Sequence, residues 1–344
     1  MLAQHINVGI IGVSGYTGLE LVKLILAHPI FKLSYIANTQ GEIHLDEIHK
    51  MLFSLSHLPV CKADAKEAVD KCELIFIALP HKSAMTMVRE ILSIKPIKIV
   101  DLSADYRLNA KNYTAHYCPH IDTENLASAV YGLPEYNRAL IQKSHLVANP
   151  GCYPTASLLA LLPFLDYIDS SCGVFIDAKS GVSGAGKSLT ENTHFPHINE
   201  NLFSYSPLTH RHQIEIAEKC QTIGAKEMDI VFVPHLMPIT RGMLISIFAT
   251  LHSPLNSQEA YEILLNAYKN EAFVRIRKSP VSIAHVVGSH FCDIFVATTN
   301  KNIYINSSID NLLRGASSQA LLNANLMCGL DEHLGVPNIP YGIF

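Results

Sequence analysis

The sequence predicts an α/β chain of two domains: a parallel sheet flanked by helices, then an α+β unit built on a mostly antiparallel sheet. Three observations carry that reading. In the first half, apolar strand-like runs alternate with helical patterns: INVGIIGV, the amphipathic stretch Leu19 to Ala27, KLSYIAN, LIFIALP and IKIVDLS. Such alternation is what a sheet with helices on both faces produces. In the second half, VFIDAKSG, EMDIVFVPHL, MLISIFATLH, AFVRIRKS, VSIAHVVG, FCDIFVATT and NIYINSS form a strand-rich set, with helical patches that include Gln213 to Cys220 and Ser257 to Tyr268. An antiparallel sheet with helices on one face would bury that pattern. Finally, 344 residues, 49% of them hydrophobic, exceed one ordinary domain of roughly 100–200 residues.

The expected boundary lies near residue 148, giving a first domain over 1–148 and a second over 149–310. Asp310 to Cys328 is apolar at helical spacing through Leu312, Leu313, Ala316, Ala320 and Leu321, and is expected to pack back on the first domain, so that 311–344 completes it.

The formal net charge of -4, with 26 basic residues nowhere concentrated, gives no electrostatic footprint for nucleic acid or anionic lipid. The expected partner is a small molecule. No window approaches the roughly 18–20 consecutive apolar residues a membrane span needs, and MLAQHINVGIIG enters a strand-like run without a basic region or cleavage site. A soluble cytoplasmic protein is expected. The eight cysteines, at 61, 72, 118, 152, 172, 220, 292 and 328, form no CxxC pair, so most are expected to be reduced and buried. HYCPH at 116–120 lacks a second ligand pair at finger-like spacing, and no metal is expected.

GIIGVSGYTGLELVKLILAHP follows a strand-like run and opens a helix, with Gly12, Gly15 and Gly18 at three-residue spacing. Glycines there tighten the turn and let backbone N–H groups approach a pyrophosphate at the positive end of the helix. This makes the first domain a Rossmann-type nucleotide domain. Where an NAD site would place Asp or Glu on the ribose diol, IANTQG offers Asn38, Thr39 and Gln40. Neutral groups do not repel a 2′-phosphate, which tilts the expectation to NADP, although no arginine stands there. IALPHKSA, with Pro80, reads as another cofactor-side loop.

In VANPGCYPTA, Pro150 and Gly151 stop an extended stretch, Pro154 suits a first helical turn, and Ala156 to Leu165 reads as a buried helix. Cys152 therefore falls at a helix N-terminus, where unpaired N–H groups and the dipole favour thiolate and can serve a developing oxyanion. A nucleophilic thiol needs a proton-transfer partner. THRHQIEIAE supplies His210 and His212 just before a helical patch, with Glu215 three positions on as a group to orient one of them. DLSADYRL, with Ser103 and Arg107, and DAKSGVSGAGK, with Lys179, Ser180, Gly181, Ser183 and Gly184, would suit a phosphate-bearing substrate.

GVSGYTGLEL, ALPHKSA, DLSADYRL, YGLPEYNR, ANPGCYPTA, DAKSGVSGAG, HRHQIEI, VPHLMPITRG, GSHFCDI and DNLLRGASSQA, in this order, resemble the N-acetyl-gamma-glutamyl-phosphate reductase family across nearly the whole chain. Its members share chemistry and domain plan with aspartate semialdehyde and glyceraldehyde-3-phosphate dehydrogenases, so the resemblance implies a glyceraldehyde-3-phosphate-dehydrogenase-like two-domain fold. It also implies an NADPH-dependent reduction of an acyl phosphate through a Cys152 thioester in arginine biosynthesis, with His210 and His212 in acid/base roles. Gly12, Ser14, Gly15, Tyr16, Thr17, Gly18 and Thr39 fall on the family's cofactor motifs; Gly181, Ser183, Gly184, Asn311 and the GASSQA turn fall where it surrounds the nicotinamide. Arg107, Lys179 and Arg241, with Ser103 and Asn149, are candidates for the substrate's phosphate or carboxylate, and relatives form dimers or tetramers. Two departures stand out: IANTQG has no basic residue, and GSHFC has His290 where asparagine is commoner. Aspartate semialdehyde dehydrogenase, which runs the same mechanism, is the nearest rival, and a nucleotide-binding sensor without chemistry is a second.

Overall fold

The computed structural model describes residues 5–342. The chain divides into two compact units: residues up to Pro150 with Ala316–Val336, and Gly151–Gly315 with the segment from Pro337 onward.

The first unit contains eight strands: β1 (Ile6–Ile11), β2 (Phe31–Asn38), β3 (Ile43–His44), β4 (Pro59–Lys62), β5 (Leu74–Ile77), β6 (Lys98–Asp101), β7 (Val130–Tyr131) and β8 (Leu146–Ala148). They form one sheet in the order β3-β4-β2-β1-β5-β6-β8-β7, parallel except at the β3/β4 edge. The central strands are apolar throughout, β5 being buried at all four positions, as expected where helices cover both faces. The Tyr16–Leu26 helix follows β1, and the Ser318–Met327 helix, buried at every position, packs on it and on β6.

The second unit holds β9 (Val174–Gly181), β10 (Phe203–Ser204), β11 (Ile230–Met237), β12 (Met243–Thr250), β13 (Val274–Ile276), β14 (Cys292–Thr299) and β15 (Asn302–Ile309). Their order is β10-β11-β9-β12-β15-β14-β13. The sheet is mixed, antiparallel at β10/β11, β9/β12, β12/β15 and β14/β15 and parallel at β9/β11 and β13/β14. Burial alternates strictly along β11, the mark of a sheet with one covered face. The Cys152–Leu161, His212–Gly224 and Ser257–Tyr268 helices lie on that sheet.

Three expectations from the sequence need correction. The run VSIAHVVG is not a strand; it forms a short turn at Ile283–His285. Ile283 and Val287, four residues apart, both close on Gly242, whose φ of +103° and lack of Cβ admit them. The helix expected from Asp310 begins only at Ser318, after a wide π-type turn over Leu313–Ser317. Asp310 takes the N–H groups of Leu312 and Leu313 at 2.9 and 3.1 Å, which holds the backbone out of a regular helix there. Last, of the segment expected to complete the first domain from 311 onward, only Ala316–Val336 does so, and 311–315 stays with the second unit. The N–H of His290 donates to Pro337 at 2.7 Å and that of Tyr341 to Val287 at 3.1 Å, so residues from Pro337 belong to the second unit.

Candidate active site

In the second unit, Gly151 is the extended residue that opens the Cys152–Leu161 helix, and Cys152 is its first helical position. Every residue from Tyr153 to Leu161 is buried, whereas Cys152 is half-buried. The helix is anchored from beneath: Ser307 donates to Ala156 O at 2.9 Å and Tyr268 to Leu159 O at 2.5 Å. The sulfur thus sits on a fixed helix start, where orphan N–H groups and the dipole stabilise a thiolate.

Two residues bear directly on that helix start. Glu215, expected to orient a histidine, holds the nucleophile's own turn: its carboxylate, 1% exposed, accepts the Gly151 N–H at 2.9 Å. Gly315 presses on the other side, where a Cβ would stand 2.6 Å from that of Cys152 and 3.1 Å from its Cα. No side chain fits between them. Only glycine at 315 lets the wide turn close on the thiol, and a lone glycine inside an apolar helical pattern was the signal for it.

His210 and His212 lie together, ring centroids 4.8 Å apart, and both meet the Tyr153 ring edge-on at 5.8 and 5.7 Å. The His212 N–H donates to His210 Nδ1 at 3.2 Å. Burial, with the neighbouring Arg211 charge adding to it, pushes His210 down to about 4, so it is uncharged at neutral pH. Tyr153 and Tyr205 hydroxyls meet at 3.2 Å. Burial raises both, Tyr205 to about 12, and the Cys152 sulfur lies near enough to contribute to each rise. Sequence reasoning missed this tyrosine pair, since nothing in local pattern marks it.

Around the β9 end, Gly181 lies against Arg241, with a Cβ position 2.8 Å from its N, and Gly184 is exposed. Asn311 ties this loop to the next: its Oδ1 accepts the Gly242 N–H at 2.7 Å and its Nδ2 donates to Ser183 Oγ at 3.0 Å. Arg241 is held by fully buried Asp310 at 3.0 Å. Lys179 pairs with Asp177, which also faces His235 at 3.2 Å. His290 sits with Arg314, Nε2 to Nη1 2.5 Å, both fully buried.

In the first unit, Gly12 has φ +102°, and a Cβ would meet Ala78 O at 2.3 Å; at Gly18 it would meet Gly12 O at 2.5 Å. These two glycines are required by chain packing. Gly15 is different, since nothing lies within 4 Å of a Cβ built there. It opens the Tyr16–Leu26 helix in extended conformation, with no side-chain cap on the first turn. The protein itself has no use for a missing side chain at Gly15. A pyrophosphate laid on the helix start does, so the turn fits a dinucleotide. Asn38 Nδ2 donates to Ser14 Oγ at 3.2 Å, Ser317 donates to Thr17 O at 3.0 Å, and Tyr16, Thr39 and Pro80 are exposed. The loop after Pro80 is gripped by Asp105, which accepts the N–H groups of Lys82 and Met85 at 2.8 and 2.9 Å while Lys82 adopts φ +72°.

Three substrate candidates prove to be braces. Ser103, 1% exposed, donates to Asp101 at 2.7 Å and accepts the Asp105 N–H at 3.0 Å. Asn149 is equally enclosed, accepting from Asn323 at 3.1 Å and donating to Ala316 O at 3.2 Å. Arg107 is neither a surface ion pair nor open: its guanidinium holds the carbonyls of Asn149 and Leu102, each at 2.7 Å. Beneath them, burial, with help from Asp105, raises the Asp101 carboxyl to about 7.

Among the described residues there is no disulfide and no group of three or more His, Cys, Asp or Glu placed to hold a metal. His120 of HYCPH spends both ring nitrogens on Asp105 O and the Asp122 N–H. Of the other thiols, Cys72, Cys220 and Cys292 are buried and the rest half-buried, fewer enclosed than expected; burial pushes Cys72 and Cys220 up to about 12. No described helix is long and apolar enough to cross a membrane.

Residues 7–144 match the family described as "Semialdehyde dehydrogenase, NAD binding domain", and residues 152–311 match "Semialdehyde dehydrogenase, dimerisation domain". Solved structures with the same fold include aspartate semialdehyde dehydrogenase with NADP from Candida albicans (TM-score 0.71, 12% identity, covering 94% of this chain and 99% of that one). Another is aspartate semialdehyde dehydrogenase II from Vibrio cholerae (TM-score 0.68, 15% identity, 95% and 99% covered). Fold and site together define an oxidoreductase of the semialdehyde dehydrogenase class.

Relatives at higher identity narrow this. N-acetyl-gamma-glutamyl-phosphate reductase of Wolinella succinogenes is 57% identical over 98% of this chain and 99% of its own, and that of Campylobacter hominis 56% over the same shares. The chain belongs to the N-acetyl-gamma-glutamyl-phosphate reductase family.

Proposed function

We propose that this protein reduces N-acetyl-L-glutamyl 5-phosphate to N-acetyl-L-glutamate 5-semialdehyde and phosphate with NADPH, in arginine biosynthesis and in the cytoplasm. The observation that carries the chemistry is the half-buried Cys152 at the start of a wholly buried helix, clasped by Glu215 and Gly315.

Cys152 thiolate attacks the acyl carbon, forming a C–S bond while the C–O bond to phosphate breaks, and the electron pair leaves with phosphate. The helix's first N–H groups stabilise the oxyanion that precedes this departure. The chemistry that bound NADPH would supply is one hydride for the thioester carbon. His210 and His212 supply the proton to the resulting oxygen and retrieve it as the C–S bond breaks, which frees the aldehyde and restores the thiolate. Glu215 fixes the turn that aims the sulfur. Lys179 and Arg241 are the cationic groups for substrate phosphate and carboxylate, while Arg107, Ser103 and Asn149 brace the Asp101 turn. Gly12, Ser14, Gly15, Tyr16, Thr17, Gly18, Thr39 and Pro80 hold the dinucleotide, and Gly181, Ser183, Gly184 and Asn311 form the nicotinamide loop.

The reading is tested by phosphate-dependent reduction of NADP with two aldehydes. N-acetylglutamate semialdehyde should be turned over and aspartate semialdehyde not; the reverse preference would overturn the substrate assignment. The cofactor turn has its own test. Gly15→Ala has allowed backbone angles and open space around the new methyl, so the unfolding midpoint should not change. Affinity for NADPH should nonetheless fall by about tenfold or more, because the methyl occupies the pyrophosphate's approach. Unaltered affinity by fluorescence titration would place the dinucleotide elsewhere.

The protein assembles as a homodimer or homotetramer through the uncovered face of the mixed sheet. Phe175 and Phe248 are 54% and 48% exposed there, are register partners, and continue into Tyr304, whose ring lies 5.2 Å from that of Phe248. An exposed aromatic row of this kind marks an association surface.

A further inference from the structure

The end of β2 decides which dinucleotide a fold of this kind accepts, since the residue there meets either the ribose diol or its 2′-phosphate. Here the Asn38 side chain bonds within the protein through both Oδ1 and Nδ2. Its Oδ1 accepts the N–H groups of Gln40 and Gly41 at 2.9 and 2.6 Å, and its Nδ2 reaches Ser14. The amide therefore shapes the turn and offers no acid to a diol.

The neighbouring strand places a lysine beside IANTQG. β4 runs parallel to β2, and its last residue, Lys62, is the register partner of Asn38. Register partners in a parallel pair project from the same face of the sheet. The Asn38 side chain reaches the glycine turn, so Lys62 stands on the face that carries the phosphate turn. The Thr39–Gln40–Gly41 bend also lies on the Lys62 backbone: Gly41 has φ +72°, and a Cβ there would stand 2.5 Å from Lys62 N. Lys62 is exposed at the carboxyl end of its strand, the end where ligands of parallel sheets bind.

Nearby carboxylates are occupied. Asp64 caps the next helix through the Glu67 N–H at 2.7 Å, and Glu67 pairs with Lys71 at 2.6 Å. Among the described residues no ion pair is recorded for Lys62 itself.

We infer that Lys62 selects NADP over NAD, its ammonium meeting the 2′-phosphate beside Thr39. This rests on the NADPH reading above. Its test is the ratio of kcat/KM with NADPH to that with NADH, for the wild type, Lys62→Ala and Lys62→Arg. The wild type should prefer NADPH. Lys62→Ala should lose roughly tenfold to a hundredfold with NADPH, through KM and not kcat, and nothing with NADH. Lys62→Arg, which keeps the charge, should restore most of the loss. The NADH column doubles as the control for folding. If the wild type prefers NADPH but Lys62→Ala leaves the ratio unchanged, the selector is another residue and this inference alone is overturned. A wild type that prefers NADH overturns the cofactor reading and this inference with it.

Discussion

Cys152→Ser is expected to lower turnover by about four orders of magnitude or more while NADPH binds as before. A hydroxyl in place of the thiol is nearly isosteric, so the helix start, the Glu215 clasp on Gly151 and the contact with Gly315 all survive the change. What is lost is the anion. A helix N-terminus can favour thiolate at neutral pH, but it cannot ionise an alcohol to any useful extent, and losing an enzyme's nucleophile commonly costs on the order of 10⁴–10⁶. The dinucleotide turn, residues Gly12 to Gly18, belongs to the other compact unit and has no reason to respond. Stopped-flow absorbance for turnover and fluorescence titration for NADPH give the two halves of the result; turnover within tenfold of wild type would remove Cys152 from the mechanism.

Replacing His210 and His212 together by Asn should lower kcat by roughly 10²–10⁴, the usual worth of a positioned acid/base group. The pair must be changed together because the rings are 4.8 Å apart, and either could take over from the other. Their environments differ. His210 receives the His212 N–H on Nδ1, so its remaining ring nitrogen, Nε2, is the one able to exchange a proton, and burial keeps it neutral down to about pH 4. His212 is the first residue of its helix and lies nearer the Glu215 turn. Asparagine preserves polarity and much of the volume, so melting behaviour should hold. A loss of only a few fold would assign proton transfer to another group, the Tyr153–Tyr205 pair being the nearest.

Much of this was legible before any coordinates. The alternation of runs gave the two sheets because each element's period states which faces must be buried, and Pro-Gly before a buried run placed Cys152 at a helix start. The failures share one cause. VSIAHVVG has the composition of a strand, but it packs by i, i+4 contacts on Gly242, which only the fold brings near. Ser103 and Asn149 are polar residues in turns, indistinguishable in sequence from ligands, and three-dimensional enclosure decides that their hydrogen bonds point inward. Glu215 was singled out for the right site, but its bond to the Gly151 N–H was invisible, since that group lies 64 positions away in the chain. Lys62 escaped notice because β4 reaches Asn38 only through the sheet order. Local pattern fixes elements; cross-chain pairing assigns jobs.

The account's central claim is that the acyl group rides on one sulfur before it is reduced. Enzyme mixed with N-acetylglutamyl phosphate in the absence of NADPH, quenched in acid and digested, should show the N-acetylglutamyl mass on the peptide containing Cys152. An adduct on any other residue, or none while phosphate is released, would contradict it.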